Sequence, residues 1–161
     1  RPRTGLNTMA TEQQLDTVVE VAGMRRDDCL RALGQARHAL EQGHQQLAQL
    51  QSYASESQTR WNQRASQGVT AQLLHHHRQF MARIDEAARF QEDVIRRLEA
   101  EVQRCEQLAQ EAERELAALN KFAERKRQVV HQAAERQDQK LNDEMAANAH
   151  RRQASTQPWR H

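Results

Sequence analysis

Apolar and small residues recur along this chain at alternating steps of four and three. A first run passes through Leu15, Val19, Ala22, Arg26, Cys29, Leu33, Ala36, Leu40, Gly43, Leu47, Leu50 and Ala54. A second starts at Leu74 and His77. It continues through Met81, Ile84, Ala88, Gln91, Ile95, Leu98, Val102, Cys105, Ala109, Ala112, Leu116, Leu119 and Ala123 to Lys126, Val130 and Ala133. Steps averaging about 3.5 residues keep one narrow stripe facing a partner helix, so each run predicts a long coiled-coil helix.

The punctuation agrees. Thr11-Glu12-Gln13-Gln14 fits a capping box and predicts the start of helix one, which should end near residue 64. Residues 65–70 hold the predicted reversal, with Gly68 free to take a positive φ and Ser66 or Thr70 available as a cap. Helix two should run from about 70 to 149, on the order of 120 Å against roughly 75–80 Å for helix one. Acids four residues before bases, as in Asp85–Arg89, Glu92–Arg96 and Asp93–Arg97, support the second helix. Prolines stand only at positions 2 and 158 and interrupt nothing between. Residues 1–10 and 151–161 are expected to be disordered; Met9 reads as a natural start, which leaves Arg1–Thr8 outside the fold argument.

The two stripes also fit each other. Folding the chain about residue 67 pairs positions whose numbers add to about 134 or 135. Leu15 then meets Leu119, Leu33 meets Val102, Leu40 meets Ile95, Leu50 meets Ile84, and Trp61 meets Leu74. Cys29 and Cys105 share one layer, and both read as small buried hydrophobes. The expected fold is all-α: a long antiparallel two-helix coiled coil, a helical hairpin with the second helix longer. Beyond Ala123 the second helix has no counterpart in helix one. Its apolar trace nevertheless continues through Val129, Val130 and Ala133, which predicts a docking partner or a dimer.

Composition narrows the possibilities. Only 37% of the 161 residues are hydrophobic and 4% aromatic, too few for a thick core, while 29% are charged. The net charge of +2 argues against a nucleic-acid binder, although the sign is uneven. Glu12–Glu41 holds four bases and six acids, and 121–152 holds eight bases and five acids. The C-terminal stretch therefore reads as an electropositive end, either a solvated face or a docking site. No apolar run approaches the roughly 18 residues of a membrane span, and no signal peptide is apparent, so a reducing cytoplasm is the expected compartment.

A second stripe runs along helix two. Leu73, Phe80, Ala87 and Val94 recur every seven residues, and Phe80, Ile84, Ala87 and Gln91 form a strip at steps of four and three. It is either the flank of a broad seam or a surface for another protein. Catalytic chemistry is not legible. His75, His76 and His77 point about 100° apart on a helix and cannot converge on one ion. Phosphate loops, nucleophile elbows and paired-cysteine motifs are missing, and a two-helix hairpin has little concavity. No cofactor, small-molecule substrate or enzymatic activity is expected.

Several segments, in order, resemble the FliJ family of the bacterial flagellar type III export apparatus. They are Leu15-Asp16-Thr17-Val18-Val19 with Met24-Arg25-Arg26-Asp27-Asp28, then Leu47-x-x-Leu50-x-x-Tyr53 with Arg60 and Gly68. His77-Arg78-Gln79-Phe80-Met81-Ala82-Arg83-Ile84-Asp85-Glu86-Ala87 and Asp138-Gln139-Lys140-Leu141-Asn142-Asp143-Glu144-Met145-Ala146 complete the series over about 12–147. The resemblance implies a non-enzymatic antiparallel coiled coil similar to the central stalk of rotary ATPases. It implies three partners: the flagellar export ATPase ring, the cytoplasmic domain of the membrane export gate, and export chaperones. The expected location is cytoplasmic, peripheral at the inner membrane. The family's gate-binding strip falls on Phe80, Ile84, Ala87 and Gln91, with Gln91 where the family often has His. The ATPase-binding residues would be Lys121, Arg125, Lys126, Arg127, Arg136 and Lys140. A stalk of a virulence injectisome and a general structural rod are the competing readings.

Overall fold

The computed structural model describes residues 4–155, with side chains over 9–155. Two helices account for nearly all of them: α1 (Thr4–Ala65) and α2 (Ala71–Ser155), of 62 and 85 residues. No strand occurs among the described residues. The fold is the helical hairpin that the paired stripes predict, with α2 the longer limb.

The helix limits differ from the sequence expectation at both outer ends. α1 begins at Thr4 rather than Thr11, so residues 4–10 are helical, and α2 runs to Ser155 rather than about 149. A capping box marks a competent start without forcing one, and the backbone ladder continues wherever no proline removes a donor. The expectations for residues 1–3 and 156–161 lie outside the described residues.

The reversal is built from backbone geometry. The amides of Gln67 and Gly68 donate to the carbonyls of Arg64 and Ala65 at 3.1 and 3.0 Å, closing the last turn of α1. Gly68 has φ +93°, a conformation open to glycine at little cost. Thr70 then starts α2: its Oγ1 accepts from the Leu73 amide at 3.2 Å, satisfying a first-turn donor.

Packing divides the chain into two compact units. One comprises Met24–Arg114; the other comprises the described residues up to Gly23 together with those from Glu115 onward. In the Met24–Arg114 unit, Leu33, Ala36, Cys105 and Ala109 form a buried cluster against which Cys29 and Val102 pack. Ile84 and Ile95 are buried along the same seam. Polar groups fix its register. Gln91 donates through Nε2 to the carbonyl of Gly43 at 3.0 Å and to Gln46 Oε1 at 3.1 Å. His77 Nε2 lies 3.4 Å from Gln58 Oε1. Gly43 makes room for this arrangement: a Cβ there would sit 3.0 Å from Leu98 Cδ1. Trp61 stacks on the His77 ring, centroids 4.1 Å apart and 4° from parallel.

In the other unit Ala22 and Ala123 are buried, and Leu15, Val19, Leu116 and Leu119 are half-buried. An ion pair between Asp16 and Arg127 joins its α1 and α2 segments. From Glu124 to Ser155 every residue is exposed. Most other ion pairs lie on wet single-helix faces. Asp85–Arg89 forms at 3.1 Å, whereas Arg96 turns to Asp93 instead of Glu92. Two acids within one turn compete for one guanidinium, and each such pair contributes only a few tenths of a kcal/mol.

Candidate functional site

Long wet helices offer surfaces rather than clefts. Among the described residues there is no group of three metal-ligating side chains, and no helix is long and apolar enough to cross a membrane.

In the Met24–Arg114 unit the strip of Phe80, Ile84, Ala87 and Gln91 separates into two layers. Phe80 and Ala87 are exposed, whereas Ile84 and Gln91 are 8% and 9% exposed and belong to the seam. The Phe80 ring meets Tyr53 of α1 edge-on, centroids 5.9 Å apart. Phe90 is 63% exposed, an apolar residue of this unit that periodicity alone passes over because it falls outside the seven-residue repeat.

Next to Phe80 is a shallow pocket of about 230 Å³ lined by Ser57, Arg60, Trp61, Arg64, His77 and Phe80. Arg60 and Arg64 stand one turn apart on α1, and the stacked Trp61 and His77 rings line the same pocket. Arg60 reaches Glu56 at 3.3 Å but remains 70% exposed, and Arg64 has no carboxylate partner among the described residues. These cationic residues were missed because charge was weighed over the ends of the chain. The signal was present: from Ser57 to Ile84 the sequence holds four arginines and neither Asp nor Glu.

In the other unit the basic residues Lys121, Arg125, Lys126, Arg127, Arg136 and Lys140 are all exposed. Arg127 is tied to Asp16, and Lys126 Nζ sits 5.6 Å from the centroid of the Phe122 ring. Arg125, Arg136 and Lys140 have no such partner among the described residues. Thr11, Glu12 and Leu15 of α1, with Phe122, Lys126 and Val130 of α2, line an apolar groove of about 270 Å³.

Cys105 of the seam sits beside the exposed pair of Glu101 and Arg104. Burial, then the neighbouring Glu101 carboxylate, pushes the Cys105 thiol up. The thiol lies 3.7 Å from Glu101 Oε1. Glu101 is in turn held below the usual carboxylate range by its hydrogen bonds to Arg104 at 2.6 and 2.9 Å. A thiol held in its neutral form is a packing residue, not a nucleophile.

Comparison with known proteins places these surfaces in context. The family model described as Flagellar FliJ protein matches residues 11–155. The Flagellar FliJ protein of Escherichia coli (strain K12) is 27% identical over 141 residues, covering 88% of this chain and 96% of that protein. The protein of the same description from Salmonella typhi is 26% identical over the same span, with the same coverage. No solved structure matches the chain. The family match takes in the seam, the glycine turn, the Phe80 strip and the basic stretch together, and by it the chain belongs to the FliJ family of flagellar proteins.

Proposed function

We propose that this chain is a non-enzymatic component of the flagellar type III protein export apparatus. In this reading it acts as a stalk-like coupling element: it binds the export ATPase ring, links it to the membrane export gate, and handles export chaperones. Family membership supports the setting. The observation that carries the coupling role is the burial pattern of α2. Its seam is covered as far as Ala123, and the following residues to Ser155 are helical, basic and entirely exposed. An exposed helix of that length gains its order from a partner. Exposed Arg125, Lys126, Arg136 and Lys140 offer an acidic ring surface charge complementarity, which chiefly speeds association and selects the partner. On the gate side, Phe80 and Ala87 would provide the contact, and Ile84 and Gln91 would hold it in place from beneath.

The test is ATP turnover and ring assembly of a purified flagellar export ATPase with and without this chain. Activation or assembly is expected. Arg125→Glu with Arg136→Glu should weaken it about tenfold, since two opposed charges are reversed at the contact. These two positions are preferable to Arg127, whose replacement would also break the pair with Asp16. No change in turnover or assembly would count against the reading.

A further inference from the structure

We infer that the turn end of the hairpin carries a docking site for an acidic segment of a protein partner, centred on Arg60 and Arg64. The run from Ser57 to Ile84 contains Arg60, Arg64, Arg78 and Arg83 with His75, His76 and His77, and no acidic residue. Its formal charge of +4, counting His as neutral, exceeds the +2 of the whole chain. Glu56 and Asp85 bound the run; Glu56 pairs with Arg60 at 3.3 Å, an exposed single-helix pair that an acidic ligand would displace, whereas Arg64 has no carboxylate partner among the described residues.

The placement turns this charge into a site. Arg60 and Arg64 lie one turn apart on α1 and both line the pocket of about 230 Å³. Trp61 and His77 line it too, stacked on each other, and His77 Nε2 lies 3.4 Å from Gln58 Oε1. Phe80 also lines it and meets the Tyr53 ring edge-on. Two guanidinium groups beside aromatic rings in one pocket suit a carboxylate attached to an apolar stem, because each fork can donate two N–H bonds to a carboxylate while the stem packs on the rings. A bilayer is less well suited. Its headgroups present a plane, whereas these groups line a recess whose tryptophan is already occupied by a histidine.

This site does not require the gate assignment. It uses different residues, apart from Phe80, and its probe is a peptide rather than the gate, so failure of one leaves the other standing.

The experiment measures fluorescence anisotropy of labelled hexaglutamate against the full chain at low and moderate salt, with hexaglutamine and phosphatidylglycerol vesicles in parallel. Hexaglutamate should bind in a salt-sensitive manner and hexaglutamine should not. Arg60→Glu with Arg64→Glu should weaken binding about tenfold, Arg60→Lys with Arg64→Lys should retain most of it, and Arg125→Glu with Arg136→Glu should leave it within about twofold. All these positions are exposed, and circular dichroism verifies that each variant folds. The inference is overturned if Arg60→Glu with Arg64→Glu binds like the parent, if only the Arg125 and Arg136 variant loses binding, or if the vesicles bind and hexaglutamate does not.

Discussion

At the scale of single residues, neighbours in the Phe80 strip have different tasks. Ile84 is buried, so Ile84→Ala should lower unfolding free energy by about 2–3 kcal/mol through lost burial and a residual cavity. Phe80 is 39% exposed, so Phe80→Ala should cost about 1 kcal/mol or less, mainly the edge contact with Tyr53, and on the proposed function it should weaken retention by the export gate more than it lowers stability. Urea melts beside a gate pull-down separate the two; equal stability losses would contradict the layering. Cys105 makes a second case. Its thiol is raised in the folded state, so its contribution to stability is present below the unfolded thiol value and lost as pH rises through the folded one. The melting temperature should therefore decline from about pH 9 upward, and less so in Cys105→Ala. A parallel decline in both proteins would remove the thiol as its cause.

At the scale of the element, the helices were legible because one stripe encodes both period and partner. Every seam position from Leu15 to Ala54, and from Leu74 to Ala123, is at least half-buried. The cross-seam contacts of Gln91 with Gly43 and of His77 with Gln58 also keep the register inferred from the stripes. Periodicity could not reveal which side of α2 is covered. Ile84 and Gln91 satisfied the spacing of the seam and of the second strip at once, and only packing resolves that double membership. Nor does spacing choose among partners within reach, so it did not give the pairing of Arg96 with Asp93. The turn depends on one residue. Gly68→Ala should cost about 1–2 kcal/mol, because φ +93° places a Cβ against the backbone. Gly43→Leu should cost about 1–3 kcal/mol by driving into Leu98 and Ile95. Thermal melts measure both, and the Gly68 substitution should leave the buried seam unchanged.

At the scale of the whole molecule, protection should be unequal along the chain. Amides of α2 within the buried seam, around Ile95 to Ala112, should exchange slowly with solvent deuterium. Those of 125–150, with no covering neighbour, should exchange orders of magnitude faster and slow down when the export ATPase is added. Uniform protection along α2 would contradict this division. On the proposed function, the residues that matter would act through charge and apolar area at surfaces, and such signals are spread over many positions and leave no compact motif in the sequence. The acid-free run around the turn shows the same limit, since it emerges only when charge is counted over the segment that the fold gathers into one place.

The Gln91 amide also bears on how the Met24–Arg114 unit carries load. Sliding one limb along the other would tear its two bonds to α1 and strand a carboxamide among isoleucine and leucine side chains. Creep in small increments is thereby penalised. Under tension applied along the limbs, this part of the protein should hold and then part abruptly, behaving as a strut rather than a slipping clutch.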